Sequence, residues 1–175
     1  EKWIGVLNEI FETNMIGEKT VSYSYMQAVL CHFYALMEIS APTTELDFKY
    51  DIDHIIPQTA FRESTLPDKE KILDNLFNLA FLPKRDNISK SNKRLRDIHN
   101  SWLREQISAY EFIEPEQYEK FSDVGNYKEL FELRKEKFIQ AFRAPVEKIL
   151  DSGLRFAYHN HDFEFKRVTA EGETF

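Results

Sequence analysis

Apolar residues recur every three to four positions at the start of the chain, where Trp3, Ile4, Leu7, Ile10 and Phe11 share one side and predict an amphipathic helix over residues 1–14. The same period predicts a second helix over 22–38, with Tyr25, Met26, Val29, Leu30, Phe33, Leu36 and Met37 inward. After a connector, Ala41-Pro42-Thr43-Thr44, the period drops to two, so residues 48–56 read as a short strand ended by Pro57. Gln58 to Lys71 is polar and interrupted by proline, which predicts a loop with a helical turn after Asp68. The apolar run Leu76–Leu82 suits the second strand of a hairpin, stopped by Pro83, and Ser89 to His99 then reads as a basic helix. Residues 126–142 give the clearest helix, with Tyr127, Leu130, Phe131, Arg134, Phe138, Ile139 and Phe142 at helical spacing and Asn126 as cap. Pro145 opens a last short helix that Gly153 closes. Two strands among several helices make an α+β chain.

Composition narrows the class. A length of 175 residues accommodates one domain and a short appendage. Apolar content of 42%, with 14% aromatic, supports a packed core and excludes wholesale disorder. The single cysteine, Cys31, excludes a disulfide scaffold and a Cys-rich zinc site, and it points to a reducing, cytoplasmic setting. Cys31 and its neighbour His32 read as ordinary helix residues. No apolar run approaches the roughly 18 residues of a membrane span, so no membrane partner is expected. The start, Glu-Lys-Trp-Ile-Gly, has neither a signal-peptide pattern nor an initiator Met, and the chain is expected to be a piece of something larger.

The net charge of −7 argues weakly against a nucleic-acid partner, but the charges are segregated. Between Pro83 and Arg104 stand Lys84, Arg85, Lys90, Lys93, Arg94, Arg96 and Arg104 against Asp86 and Asp97, a local charge of +5 that leaves −12 elsewhere. A solvated helix face is the ordinary meaning of such a run; its neighbours suggest more. Just before it come Asp51-Ile52-Asp53-His54-Ile55-Ile56-Pro57 at the end of the first strand, Asn78 within Asn75-Leu76-Phe77-Asn78-Leu79, and Asn87-Ile88-Ser89-Lys90-Ser91-Asn92-Lys93 at the turn into the basic helix.

Strand, strand and helix, bearing Asp-His, Asn and Asn in that order, resemble the ββα-metal core of HNH (His-Me finger) endonucleases. The chain resembles the C-terminal nuclease region of GmrSD-type, modification-dependent restriction proteins over roughly residues 20–145; the HNH domain of the CRISPR RNA-guided nuclease resembles 50–93. The resemblance implies a nuclease domain over 1–150, with its ββα-metal core at about 48–99 surrounded by helices. It makes His54 the general base, gives Asp53 and Asn87 to one Mg²⁺ (or Mn²⁺), and has Asn78 brace the loop that carries His54. Asp51 would either touch the metal or only orient the site. Lys84, Arg85, Lys90, Lys93 and Arg94 would grip phosphates. The implied substrate is DNA, modified phage DNA included, and the implied partner is a missing specificity or NTP-hydrolysing domain or subunit, in a restriction and antiviral defence system.

The residue types suit that chemistry. Phosphodiester hydrolysis needs an activated water and a stabiliser for the charge on the phosphoryl and leaving oxygens, and a hard cation on oxygen ligands supplies the second. A histidine is an effective neutral base near pH 7. Each residue also has an ordinary reading: Asp53 in a turn, His54 on the surface, Asn87 as a helix cap. A scaffold or binding fragment that keeps the fold without turnover is the competing reading.

Residues 153–166, Gly-Leu-Arg-Phe-Ala-Tyr-His-Asn-His-Asp-Phe-Glu-Phe-Lys, resemble something else: one strand and loop of the TIM-barrel sugar phosphate isomerases related to xylose isomerase. A barrel needs about 250 residues, so this 151–175 tail cannot build that site, and it is expected to form a short β-rich piece. A sugar isomerase is therefore a third reading, resting on the tail alone.

Overall fold

The computed structural model describes residues 2–16, 19–39 and 49–151. Helix α1 (Lys2–Thr13) buries Leu7 and Ile10 along the side its periodicity marks. A small hairpin follows, β1 (Met15–Ile16) against β2 (Lys19–Thr20). Ser22 then opens α2 (Tyr23–Leu36), its hydroxyl accepting the Tyr25 backbone N–H at 3.2 Å, a typical N-cap. Met26, Leu30, Phe33 and Tyr34 turn inward, whereas Tyr25 is 47% exposed because it sits one position off the 26–30–33 seam.

The second sheet positions the chemistry. Strands β3 (Tyr50–His54) and β4 (Leu79–Pro83) pair antiparallel, with Asp51 opposite Leu82, Asp53 opposite Ala80 and His54 opposite Leu79. Between them lie α3 (Gln58–Glu63), α4 (Lys69–Leu73) and a 3₁₀ turn, Leu76–Asn78. Two expectations are corrected here. The segment after Pro57 is helical where the polar pattern predicts a loop, because burial of Ala60 and Phe61 rewards a turn of helix that their polar neighbours obscure. The run Leu76–Leu82 is not all strand either: Asn75 accepts the Phe77 N–H at 3.0 Å and curls the first three residues, so Asn78 precedes the strand.

The basic helix is displaced as well. Helix α5 (Lys84–Lys90) starts directly after Pro83 and ends where Ser91 takes φ 52°, the left-handed region. Leu95–Asp97 forms a separate 3₁₀ turn, which leaves Lys93 and Arg94 between two elements and Asn87 within α5 instead of at its entrance. The stretch 100–125 supplies α6 (Ser101–Glu111) and α7 (Tyr118–Phe121). Asn100 caps α6 by accepting the Leu103 N–H at 2.9 Å. Helix α8 (Tyr127–Asp151) runs through Pro145, where the pattern predicts a break; proline removes one backbone bond without having to end a helix. At its entrance the Asn126 side-chain amide N–H donates to the Lys120 carbonyl at 2.8 Å.

Aromatic rings join these pieces. Phe33 of α2 stacks on Phe138 of α8 at 3.9 Å, and Phe77 meets Phe138 edge-on at 5.6 Å. Both sides of β4 are covered, with Leu79, Ala80, Phe81 and Leu82 all buried. The described residues are thus α+β, mostly helical with two small antiparallel sheets. It divides into two compact units, Glu1–Phe142 and Arg143–Phe175. The tail motif around His159-Asn160-His161 lies outside the described residues. Among the described residues, no helix is long and apolar enough to cross a membrane.

Candidate active site

Alternation along β3 puts Asp51 and Asp53 on one face, and α5 packs against it. Two residues advance a strand by about 6.8 Å; three advance a helix by about 4.5 Å and return nearly to the same side. Asn87 therefore meets Asp51, Nδ2 to Oδ2 at 3.5 Å, and Lys90 meets Asp53. At the end of the strand, Asp53, His54 and Asn87 line one cleft of about 400 Å³ together with Ile52, Gln58 and Ile88.

His54 is held from several directions. Its Nε2 lies 2.8 Å from Asp74 Oδ1, just beyond α4. Gln58 brings its amide to 3.3 Å from the same nitrogen, and Arg62 orients that amide by donating to Oε1 at 3.0 Å. Asn78, fully buried, staples the following main chain: it accepts the Ile56 N–H at 3.0 Å and donates to the carbonyls of Ile56 and Leu73 at 3.2 and 2.9 Å. Its own carbonyl accepts the Ile55 N–H at 2.9 Å.

Lys90 departs most from its sequence expectation. It is fully buried, so it does not grip phosphate; its ammonium bonds to Asp53 Oδ2, to Glu111 Oε1 at 2.9 Å and to the His54 carbonyl at 3.2 Å. Burial opposes its charge, but Asp53 and Glu111 more than offset that, and its pKa is raised. Burial pushes Glu111 up to about 7 against the pull of Lys90. Behind them Arg134, also fully buried, donates to the Glu111 and Leu79 carbonyls at 2.9 and 2.6 Å. The other basic candidates differ in exposure: Lys84, Arg85 and Lys93 are exposed, and Arg94 is partly buried 3.7 Å from Glu63.

Sequence reasoning misses Asp74, Gln58, Glu111 and Arg134 as site residues. Gln58 carries a usable signal, four residues after His54 at a helix start; Asp74 and Glu111 arrive from distant elements and carry none. Tyr23, half exposed, is another: burial, then the charges of Asp74 and Asp51, raise its hydroxyl pKa, keeping it a donor beside the site.

The donor chemistry fits a hard cation. Lys90 occupies Asp53 Oδ2, leaving Oδ1 to a cleft ligand, and Asn87, with Nδ2 toward Asp51, keeps its amide oxygen as acceptor. Among the described residues no three His, Cys, Asp or Glu side chains form a metal-binding group, so a cation here would rest on Asp53 and Asn87 oxygens with the remaining positions open to phosphate and water. No curated protein and no solved structure matches the chain. A family model described as GmrSD restriction endonucleases, C-terminal domain, matches residues 7–129, which take in His54, Asp53, Asn87, Asn78, Asp74, Lys90 and Glu111 but not Arg134. The chain belongs to that family and is a nuclease-type part of a restriction protein.

Proposed function

We propose that the chain is a metal-dependent endonuclease domain of the HNH type that hydrolyses phosphodiester bonds in DNA, with β3, β4 and α5 as its ββα-metal core. The observation that carries this reading is the convergence of His54, Asp53 and Asn87 on one cleft. With Nε2–H donating to Asp74, the His54 lone pair is on Nδ1, 3.5 Å from the Gln58 amide nitrogen, and would take a proton from an attacking water that replaces that contact. Asp53 and Asn87 would hold Mg²⁺ or Mn²⁺, with Asp51 orienting Asn87. When bound, the cation supplies Lewis-acid stabilisation of the phosphoryl and leaving oxygens. Asn78 keeps the His54 loop in place, Lys90 and Glu111 fix Asp53 from behind, and Lys84, Arg85 and Lys93 lie exposed where they can meet flanking phosphates. Modified phage DNA as the substrate, and a separate specificity or NTP-hydrolysing module as the partner, complete the proposal.

Incubation of plasmid and modified phage DNA with the chain, with Mg²⁺ and with EDTA, tests it. Mg²⁺-dependent cleavage that His54→Ala lowers about 10²–10⁴-fold is the expected result. Full cleavage in EDTA removes the cation from the reaction. Binding without cleavage under every condition favours the scaffold reading.

A further inference from the structure

Helix α5 has a second side. Asn87 and Ile88 line the catalytic cleft, whereas Arg85, Asp86 and Ser89 line a separate hollow of about 410 Å³ completed by Asn100, Trp102 and Leu103 at the start of α6. Trp102 is 59% exposed, one of few large rings among the described residues that stand open to solvent. It is not loose: its indole N–H donates to Asp86 Oδ1 at 3.0 Å, and Asp86 is itself only 7% exposed. A large aromatic face is thus presented in a fixed orientation, with its single polar atom already satisfied from within.

The rim is cationic and polar. Arg85 is exposed beside the ring, Lys84 precedes it, and Ser89 and Asn100 bring hydrogen-bonding groups. Because Asn100 Oδ1 is used to cap α6, its NH₂ is the group left to donate to a ligand. A pinned aromatic face, a guanidinium and small polar groups are what a nucleobase needs: stacking on one side, a cation for its phosphate, and donors for its edge. A base inside a duplex has both faces covered by its neighbours, so only an unstacked one can use the indole.

We propose that this hollow binds an unstacked nucleobase, with Trp102 as the stacking platform and Arg85 holding the adjacent phosphate. Nucleic acid would then reach the cleft across α5 with at least one unpaired or extruded nucleotide beside the cut. This rests on the nuclease reading and narrows it to substrates that are single-stranded or locally opened.

Trp3 and Trp102 are the chain's two tryptophans, so Trp3→Phe leaves Trp102 as the sole indole, excited selectively beyond the tyrosine absorption. That protein, in EDTA to prevent cleavage, is titrated with a short oligothymidylate and with an abasic oligonucleotide of equal length. The base-bearing strand should quench Trp102 emission and bind more tightly than the abasic one. In the wild-type chain, Trp102→Leu should weaken binding of the base-bearing strand about 5- to 150-fold, the ~1–3 kcal/mol of one base–aromatic stack. Trp102→Phe, which keeps an aromatic face, should stay within a few-fold of the parent, and circular dichroism checks that both variants fold. Equal affinity for the two strands without quenching overturns this site and leaves the nuclease reading standing. Quenching that follows protein concentration in the absence of DNA also overturns it, marking Trp102 as a protein contact. Failure of the parent to bind either strand, or duplex DNA, overturns the nuclease reading and the site together.

Discussion

Lys90→Met removes the positive charge on which two buried carboxylates depend while keeping most of the side chain's length. The ammonium has four acceptors: Asp53, Glu111 at 2.9 Å, and the His54 and Ile55 carbonyls at 3.2 and 3.4 Å. Both carboxylate side chains are almost wholly buried, at 7% and 0% exposure, so water cannot take over. Removing one partner of such a group costs about 3–5 kcal/mol, chiefly because the other charge is left uncompensated. With a urea m-value of about 2 kcal/mol/M, the unfolding midpoint should fall by roughly 2 M. Glu111→Gln in the same chain removes one of the two orphaned carboxyl groups, so the double variant should recover part of the loss in alkaline buffer, where Glu111 is ionised, a coupling that unrelated sites do not show. Urea unfolding followed by circular dichroism reads both effects. A loss below about 1 kcal/mol, the range of an exposed pair, would refute the reasoning and return Lys90 to the surface charges.

Glu111 also gives a pH signature. Its folded-state pKa of about 7 lies above the ordinary 4.5, so the native state holds the extra proton between those values and this group's contribution to stability falls as pH rises through that window; Glu111→Gln should gain on the parent by at most about 1.4 kcal/mol per pH unit there. Parallel unfolding curves at pH 5 and pH 7.5 check this, and a constant difference tells against it. Asp74→Asn should lower the cleavage rate about 10–100-fold with little change in DNA affinity, the usual cost of losing the group that orients a functional histidine; an unchanged single-turnover rate would reduce Asp74 to a surface contact. Replacing Lys84, Lys93 and Arg94 with Gln should make the slope of log K against log salt shallower by about 0.9 for each duplex phosphate that is no longer neutralised, and an unchanged slope on two unrelated duplexes would show that none of the three meets a phosphate.

Helices α1, α2 and α8 and the β3–β4 hairpin were legible because their apolar periods are strong and their cores are formed by adjacent turns. Boundaries were less so. A single left-handed residue, Ser91, ends α5 early, and nothing in its polar surroundings marks it. Asn78 could be placed near the hairpin but not before its second strand, since the curl depends on one side-chain bond from Asn75. Charge was the weakest guide. Lys90 looks like the other basic residues in the sequence, yet it turns inward because its partners come from β3 and from α6, the latter 21 residues away. Long-range electrostatic pairing leaves no local periodicity to read, and this is also why Asp74 and Glu111 have no signature in the sequence.

Asn78 bonds at once to the main chain after His54 and to the carbonyl of Leu73, the residue next to Asp74. One amide therefore ties the proposed base and its acidic partner to a common anchor, so the two should open and close as a unit. The Ile56 N–H, accepted by Asn78 Oδ1, sits at that anchor, and its deuterium exchange becomes a substrate-free gauge of the site. Slow exchange at this position reports an intact Asn78 anchor beneath the proposed His54–Asp74 pair.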